Sequence, residues 1–461
     1  MLWRYAAILM IAVLSGCAST GDWSSDTPTK TNPRASKAPR VNLDNQSVSK
    51  VYAPSSNLWL RIRDGFQMEP MNSPLEIEQI RSLSAKPDYV NRSMTRSSRY
   101  LFYIVQEVNT RNMPTEIALL PFVESAFVPQ AKSSAKAMGL WQFMPATGKD
   151  FQLTQNVFRD ERRDVLQSTD AALDYLQRLN NQFGSWELAL AAYNWGAGNI
   201  AKAQKRNLAA GLPTDYESLK LPKETRNYVP KLMAYRQIIL DPQAYGIVLP
   251  DLENHPYFVA IDVNNDIDVA LVTKLAEIPL DEFQILNPSF NKPVILAAAG
   301  QQILLPFGHA EVFQESLKNY TKPLSSWTAV QVSKTAAVDQ VAKTLGVDVD
   351  TLREINGIPK GMRIRAGSTV IIPKTAHRPG DVSVALADNA SLSLEKPQPL
   401  PKKCAKGTNC SPAKSAKSGT KGNSSPKNAA SQHKSASTGL AKSAKNDSVK
   451  TSTSKGVSKI Q

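Results

Sequence analysis

An internal repeat in the second half of the chain constrains the fold more than any other feature of the sequence. Residues 258–263 match residues 327–332, and Asn287 matches Asn356, so both pairs are 69 residues apart. After a two-residue change in loop length, the match resumes in a run of apolar residues ending in proline. Because order, spacing and residue type agree, the sequence predicts two copies of one structural unit.

Each copy of the repeat is predicted to be a small α+β module. Apolar, β-branched runs begin and end each copy, and two short helical patterns lie between them, so each copy has the order strand, helix, helix, strand (βααβ). We place the modules at residues 256–307 and 325–374. A unit of about 50 residues buries little apolar surface and is typical of a compact binding module.

The region before the repeat, residues 58–250, is predicted to be mainly α-helical. Apolar residues recur there at three- and four-residue spacing, and alternating strand-like patterns are scarce. Ser168 and Thr169, which precede the acidic Asp170, indicate a helix start. The clearest helical stretches are residues 97–110, 168–183 and 185–193.

The N-terminus reads as an export signal. Arg4 precedes an apolar run at residues 5–14, which is shorter than the roughly 20 residues of a membrane-spanning helix. Leu14-Ser-Gly-Cys17 resembles the bacterial lipoprotein signal, which implies removal of residues 1–16, lipidation of Cys17 and anchoring in a membrane. Ala18 resembles the sorting pattern for the periplasmic face of the outer membrane. The alternative is an ordinary signal peptide with an incidental cysteine. Residues 17–57 are predicted to be a flexible tether.

The positive charge of the chain is concentrated in its C-terminal tail. The net charge is +15, but residues 401–461 contain thirteen Lys and one Asp, with no Arg or Glu, and so supply +12 of it. The near-neutral remainder argues against a nucleic-acid-binding domain. The composition of residues 375–461 predicts disorder. The lysines could bind an anionic polymer or an acidic protein, or the tail could simply be solvated.

Cysteine and histidine positions exclude several classes of site. The three Cys, at 17, 404 and 410, lie outside the predicted modules, which excludes a disulfide scaffold and a cysteine-rich metal site. The four His are scattered singly, which argues against a zinc hydrolase. The sequence therefore predicts no metal and no cofactor.

Glu124 is the strongest candidate for a chemically active side chain. Pro114 is predicted to begin a helix in which Ile117, Leu120 and Glu124 share one face. A carboxyl group held there beside Phe127 should lose solvation, which raises its pKa and lets it act as a general acid near neutral pH. The alternative is an ordinary surface glutamate at a helix end.

Four ordered motifs give this region a family resemblance. They are Glu-Ser-Ala-Phe at 124–127, Gly-Leu-Trp-Gln-Phe-Met-Pro at 139–145, Ala-Ala-Tyr-Asn-Trp-Gly-Ala-Gly at 191–198 and Glu-Thr-Arg-Asn-Tyr-Val at 224–229. Together they resemble the signature motifs of the soluble-type lytic transglycosylases, which share the goose-type lysozyme fold. The resemblance implies a mainly α protein, with a lysozyme-like catalytic domain, two LysM-like modules and a disordered tail.

The resemblance assigns roles to individual positions. Glu124 matches the family's single catalytic acid/base. The positions that match glycan-binding residues are Ser133, Gln142, Tyr193, Asn194 and Tyr228. Ser133 matches a serine near the substrate acetamido group, and Tyr228 matches a tyrosine close to the acid. For Gln142 and Asn194 the alternative is an amide that caps a loop, and for Tyr193 it is packing in the core.

A single acid fits the family's reaction. Most glycosidases use two carboxyl groups, but no second acid near Glu124 lies in a convincing motif. We interpret the acids among the arginines at 159–164 as a surface ion-pair cluster. The resemblance implies cleavage of the β-1,4 bond between N-acetylmuramic acid and N-acetylglucosamine in peptidoglycan, with formation of a 1,6-anhydro sugar. The alternatives are a muramidase of the same fold, in which water attacks, and a non-catalytic peptidoglycan-binding protein.

The repeats resemble LysM modules, which bind N-acetylglucosamine chains, but they depart from the usual pattern. Typical modules carry Gly-Asp-Ser/Thr after the first strand, whereas this chain has Asn264-Asn-Asp266 in the first copy and Ser333-Lys-Thr335 in the second. Each copy could therefore bind glycan or serve as a spacer packed on the catalytic domain. Glycan-binding copies would raise the local concentration of the catalytic domain on its polymer.

Overall fold

The structure, a computed structural model, describes residues 56–374 and 380–397. The predicted signal peptide, Cys17, all but the end of the tether and most of the predicted tail lie outside the described residues. No helix in the described part of the chain combines the length and the apolar character needed to cross a bilayer.

The region before the repeat folds into ten α-helices around one apolar core. The longest, α7 and α10, pack against α8, and α10 also packs against α2. Large side chains such as Tyr100, Trp141 and Tyr235 are fully buried in this core. The bounds are α1 (Leu58–Asp64), α2 (Pro74–Ser84), α3 (Pro87–Ser97), α4 (Leu101–Thr110), α5 (Leu120–Glu124), α6 (Pro145–Asp150), α7 (Val165–Phe183), α8 (Trp186–Trp195), α9 (Ala197–Ala209) and α10 (Lys223–Leu240).

The chain that leads to Glu124 is not the single helix that the sequence predicts. It forms a 3₁₀ helix at Thr115–Leu119, followed by the short helix α5. The reason is Pro121, which has no N–H to donate to the carbonyl of Ile117 and whose ring would clash with it. The 3₁₀ helix therefore runs directly into α5 at Leu120, and Pro121 is tolerated because it lies in the first turn of α5.

Helix α7 begins earlier than the sequence predicts. Asp164 caps it by accepting hydrogen bonds from the backbone N–H groups of Leu166 and Gln167, both at 3.0 Å. Ser168 and Thr169, predicted to mark the helix start, lie inside the helix and are buried. Thr169 instead accepts a hydrogen bond in the core from the indole of Trp141.

Both copies of the repeat fold as predicted α+β modules, each with an added pair of two-residue strands. The long strands pair antiparallel, β1 with β4 and β5 with β8. The first module contains β1 (Phe258–Asp262), β2 (Ile267–Asp268), α11 (Val269–Leu275), α12 (Leu280–Leu286), β3 (Val294–Ile295) and β4 (Gln302–Pro306), and is followed by α13 (Phe307–Lys318). The second contains β5 (Trp327–Gln331), β6 (Ala336–Ala337), α14 (Val338–Leu345), α15 (Val349–Asn356), β7 (Arg363–Ile364) and β8 (Thr369–Pro373).

A buried asparagine makes the same pair of hydrogen bonds in both modules. Asn287 donates to the carbonyl of Leu304 at 2.8 Å and accepts from its N–H at 2.7 Å. Asn356 does the same with Ile371, at 2.9 and 2.7 Å. Each amide thereby ties the second helix of its module to the last strand. The repeat is thus structural, and the predicted mainly α fold with two small α+β modules is confirmed.

The first module packs directly on the helical region. Phe258, Leu286 and Leu304 belong to the same apolar core as the ten helices. Arg99 of the helical region also forms a salt bridge with Glu282 of α12 at 2.8 Å. Because one core spans both parts, the proposed domain boundary near residue 250 stays a prediction.

Residues 380–397, which the sequence assigned to the disordered tail, are ordered and join the modules together. They form α16 (Val384–Asp388) and β9 (Leu394–Glu395), and β9 extends the sheet of the second module by pairing with β7. Val382, Ala387 and Ala390 bury their side chains in a cluster with residues of both modules and Phe158. The prediction was wrong here because it averaged these apolar residues with the lysine-rich sequence that follows.

The departure from the LysM pattern in the first module has a structural explanation. Asp266 is buried and accepts hydrogen bonds from the N–H groups of Ala297, at 3.0 Å, and Val382, at 2.8 Å. Its carboxylate therefore fastens the segment 380–397 to the first module.

Candidate active site

Glu124 lies at the end of α5, partly exposed, with its carboxyl group against α10. The hydroxyl of Tyr228, a buried residue of α10, donates a hydrogen bond to Oε1 of Glu124. Burial and the nearby carboxyl group raise the pKa of Tyr228 well above its ordinary value. The phenol therefore keeps its proton and acts as a fixed donor to the carboxyl group.

The electrostatic environment of Glu124 suits proton transfer. Burial raises the pKa of its carboxyl group to about 7, and the negative charge of Glu224 adds to this. The hydrogen bond from Tyr228 and the positive charge of Lys231 oppose the rise. Since a group whose pKa lies near the ambient pH can both give and accept a proton, Glu124 has the properties of a general acid/base.

Aromatic side chains pack around α5, the helix that ends in Glu124. Phe122 lies edge-on to Phe127, with ring centroids 4.5 Å apart, and stacks on Tyr235 at 5.1 Å. Phe122 and Phe127 are fully buried. The helix that carries Glu124 is therefore anchored in the apolar core.

The turn after Glu124 is held in an uncommon backbone conformation. Ala126 and Phe127 have φ angles of 50° and 55°, in the left-handed region that non-glycine residues rarely adopt. The hydroxyl of Ser125 donates to the carbonyl of Leu140 at 2.9 Å and so ties this turn to the next motif. Such conformations persist where the surroundings enforce them, and they cluster at functional sites.

The residues predicted to bind glycan take different positions. Ser133 lies in the loop after the Glu124 turn, where its hydroxyl accepts from the N–H of Ala137 at 3.0 Å. The amide of Gln142 turns back on its own loop and donates to the carbonyls of Gly139, at 2.8 Å, and Ala131, at 3.3 Å. These contacts are those of the loop-capping alternative for Gln142.

The tyrosine and asparagine of the third motif lie on α8. The hydroxyl of Tyr193 donates to the carbonyl of Trp141 at 2.8 Å, and its ring contacts Phe143 and Tyr175. The amide oxygen of Asn194 accepts a hydrogen bond from the hydroxyl of Thr225 at 2.8 Å, which joins α8 to α10. The structure thus brings Tyr228 onto Glu124, while Tyr193 and Asn194 tie the motifs to one another.

Two residues beside the site were not identified from the sequence. Lys231 follows Tyr228 by one turn of α10, and its ammonium group donates to the carbonyl of Val123 at 3.3 Å. The three-residue spacing from Tyr228 was a usable signal. Arg162 was interpreted as part of a surface ion-pair cluster, but it and Asp160 are buried, with only 7% and 9% of their surface exposed. The predicted ion pair is present, with Arg162 and Asp160 2.7 Å apart. Only its predicted surface location was wrong, because the guanidinium is covered by the loop it supports.

Comparison with known proteins identifies the family. The family model described as the transglycosylase SLT domain matches residues 103–211, and the LysM-like domain of lytic transglycosylase MltD matches residues 257–322. Membrane-bound lytic murein transglycosylase D of Escherichia coli K12 is 33% identical over 387 residues, which cover 80% of this chain and 84% of that protein. The chain belongs to the lytic murein transglycosylase D family.

Membership of the lytic murein transglycosylase D family confirms the resemblance inferred from the four motifs. Among more distant relatives, the peptidoglycan transglycosylase gp16 of Escherichia phage T7 is 34% identical over 114 residues, 24% of this chain and 8% of that protein. Among solved structures, the 70 kDa soluble lytic transglycosylase of Escherichia coli matches at 22% identity with a TM-score of 0.25, and the match covers 36% of this chain and 31% of that one.

Proposed function

We propose that this protein is a lytic transglycosylase that cleaves the β-1,4 bond between N-acetylmuramic acid and N-acetylglucosamine in peptidoglycan, in turnover or remodelling of the cell wall. Its product is 1,6-anhydro-N-acetylmuramic acid. The observation that carries the proposal is the 33% identity across most of the E. coli transglycosylase. The carboxyl group of Glu124, with a pKa of about 7, supports it independently.

In the first step Glu124 acts as the acid. Its carboxyl proton passes to the glycosidic oxygen, and the bond between that oxygen and C1 of the muramic acid breaks. The N-acetylglucosamine leaves as an alcohol. The acetamido group of the muramic acid stabilises the oxocarbenium-like centre at C1, so no second enzyme carboxylate is needed.

In the second step the same residue acts as the base. The Glu124 carboxylate accepts the proton of the sugar's own 6-hydroxyl, and O6 forms a bond to C1. Glu124 is protonated again at the end, so no water is consumed. The hydrogen bond from Tyr228 holds the carboxyl group in place through both steps and stabilises its ionised form between them.

The other predicted site residues are proposed to act around this centre. Ser133 serves the acetamido group of the substrate, and Tyr193 frames the floor of the site. Gln142 and Asn194 contribute by fixing the loops and helices that meet the glycan, as their hydrogen bonds to backbone and to Thr225 suggest.

Product analysis tests the proposed function. We expect the purified protein to release muropeptides that end in 1,6-anhydro-N-acetylmuramic acid from purified peptidoglycan, as measured by mass spectrometry. Reducing ends would instead identify a muramidase that uses water. An absence of released muropeptides would identify a non-catalytic binding protein.

Lys231 gives a prediction about pH dependence. Its positive charge favours the ionised form of Glu124, so Lys231→Met should raise the pKa of Glu124 further. Because activity requires the protonated acid, the fall of kcat/KM on the alkaline side should move to higher pH. The measurement is the pH profile of kcat/KM on soluble glycan strands.

Lys223 offers a matched control for this experiment. It is exposed at the start of the same helix, α10. Lys223→Met removes the same charge and should leave the alkaline limb in place. An unmoved limb in Lys231→Met would contradict the proposed electrostatic role of Lys231.

We also propose that the protein is held by lipid on Cys17 at the periplasmic face of the outer membrane, with the lysine-rich tail free to bind an anionic polymer or an acidic protein. The support is the Leu-Ser-Gly-Cys sequence and the thirteen lysines after residue 400. Fractionation of cells that carry Cys17→Ala tests the anchor, since the protein should move from the membrane to the soluble fraction.

A further inference from the structure

The side chain of Arg162 supports both ends of a loop that follows the Glu124 turn. The guanidinium Nη1 of Arg162 donates to the carbonyl of Lys136 at 2.9 Å and to that of Phe143 at 3.3 Å. Residues 136–143, named here the site loop, are therefore held at both ends by one side chain, that of Arg162.

Asp160 fixes the guanidinium that holds the site loop. Its two carboxylate oxygens accept from Nε and Nη2 of Arg162, at 2.9 and 2.7 Å, in a bidentate pair. Only an arginine has the planar fork of donors that can make this pair and reach two carbonyls as well. Both side chains are buried, so the packing around them limits the other positions that they could adopt.

The site loop is connected in turn to the groups around Glu124. Leu140 accepts the hydrogen bond of Ser125, the residue next to Glu124. Trp141 accepts that of Tyr193. A shift of the loop would therefore move the surroundings of Glu124 without touching its carboxyl group.

The support under Arg162 extends to the first module. The N–H of Asp160 donates to the carbonyl of Ser289 at 2.9 Å, and the hydroxyl of Ser289 donates to Asp164 at 3.0 Å. The loop that contains Arg162 is thus hydrogen-bonded to the site loop on one side and to the first module on the other.

We propose that Arg162 is a positioning residue for glycan binding, which it serves by fixing the site loop beside Glu124, with Asp160 as its clamp. The inference rests on the proposed function for the identity of the substrate. A misplacement of about 1 Å in a binding loop can cost about 10²-fold in rate. Arg162→Lys should therefore lower kcat/KM on soluble glycan strands by about 10- to 100-fold, mainly through a higher KM.

The matched control is Arg111→Lys. Arg111 also forms an ion pair between elements of the helical region, with Asp170 at 2.9 Å, and its hydrogen bonds go to Glu107 and Asp170 and not to the site loop. Both variants lose an arginine pair and should lose stability. A partly unfolded sample lowers kcat and leaves KM unchanged, so assays well below the unfolding temperature separate lost stability from lost positioning.

Three outcomes decide the proposal. A KM raised in Arg162→Lys and unchanged in Arg111→Lys, with the pH profile of Glu124 unmoved, supports it. Equal KM values in the two variants overturn it, and so does a shifted pH profile, which would mean that Arg162 acts through the Glu124 carboxyl group. If Arg162→Lys does not fold, Asp160→Asn removes the clamp with little change in shape and carries the same expectations.

Binding measurements keep this inference separate from the proposed function. In a Glu124→Gln background, the affinity for glycan strands is measured with and without Arg162→Lys. A weaker affinity in the Arg162→Lys variant supports the positioning role, even if the wild-type protein releases no anhydro sugar. An unchanged affinity overturns the positioning role, even if the wild-type protein does release anhydro sugar.

Discussion

Glu124→Gln is expected to slow the release of muropeptides from peptidoglycan by roughly 10²–10⁴-fold, because glutamine can neither give nor accept the proton. The fold should be intact, since the amide oxygen can still accept the hydrogen bond from Tyr228. The measurement is the rate of muropeptide release by the purified variant, with circular dichroism as the check on folding.

The same variant should be more stable than the wild type above neutral pH. The pKa of Glu124 is about 7 in the folded protein against an ordinary 4.5. Between these values the unfolded chain releases the proton and the folded protein retains it, so the wild type loses stability as the pH rises through this window. We expect equal unfolding free energies near pH 4 and an advantage of about 1–3 kcal/mol for Glu124→Gln at pH 8.

Glu78→Gln is the control for both measurements. Glu78 is an exposed residue of α2. The substitution is chemically identical and should change neither the rate nor the pH dependence of stability. A Glu124→Gln variant that cleaves peptidoglycan as fast as Glu78→Gln would refute the catalytic assignment.

The second large effect is expected from Gly139→Ala. Gly139 has a φ of +84°, and a Cβ at this position would overlap the carbonyl oxygen of Arg162. The left-handed conformation costs about 1–2 kcal/mol for an alanine, and the overlap roughly a further 1–3 kcal/mol. The free energy of unfolding in urea should therefore fall by about 2–5 kcal/mol, and cleavage should fall with it because the site loop must move.

Gly184→Ala separates the two contributions. Gly184 has a similar φ of +72°, but nothing lies within 4 Å of a Cβ there. It should therefore lose only the conformational part, and cleavage should be unaffected. Equal losses of stability in the two variants would show that the backbones at 139 and 162 are not in tight contact.

The sequence predicts the parts of this protein that repeat or follow a motif. Asn287 and Asn356 could be paired because two copies of one pattern show which positions matter. Glu124 and Tyr228 could be named because their motifs are read in order along the chain. In each case the identity of the residue carries the information. The two asparagines occupy matching positions in the two modules, and Tyr228 lies against Glu124.

The parts that the sequence did not predict depend on backbone groups or on competing local effects. Arg162 holds carbonyls of Lys136 and Phe143, and a carbonyl is the same whatever residue carries it. The single helix predicted from Pro114 to Glu124 is replaced by a 3₁₀ helix and a short α-helix, because Pro121 cannot be accommodated in the middle of one α-helix despite the apolar spacing. For Gln142 the sequence left glycan binding and loop capping open. Its amide finds acceptors in its own loop, a choice fixed by backbone angles that residue types do not reveal.

The ordered segment at 380–397 has a practical consequence for anyone who shortens this protein. A chain that stops at Lys374 would leave the edge of β7 without β9 and uncover the apolar side chains of Val294 and Ile371. Exposed strand edges next to an apolar surface promote self-association. A soluble fragment should therefore extend to residue 397, even though the repeat itself ends more than twenty positions before that.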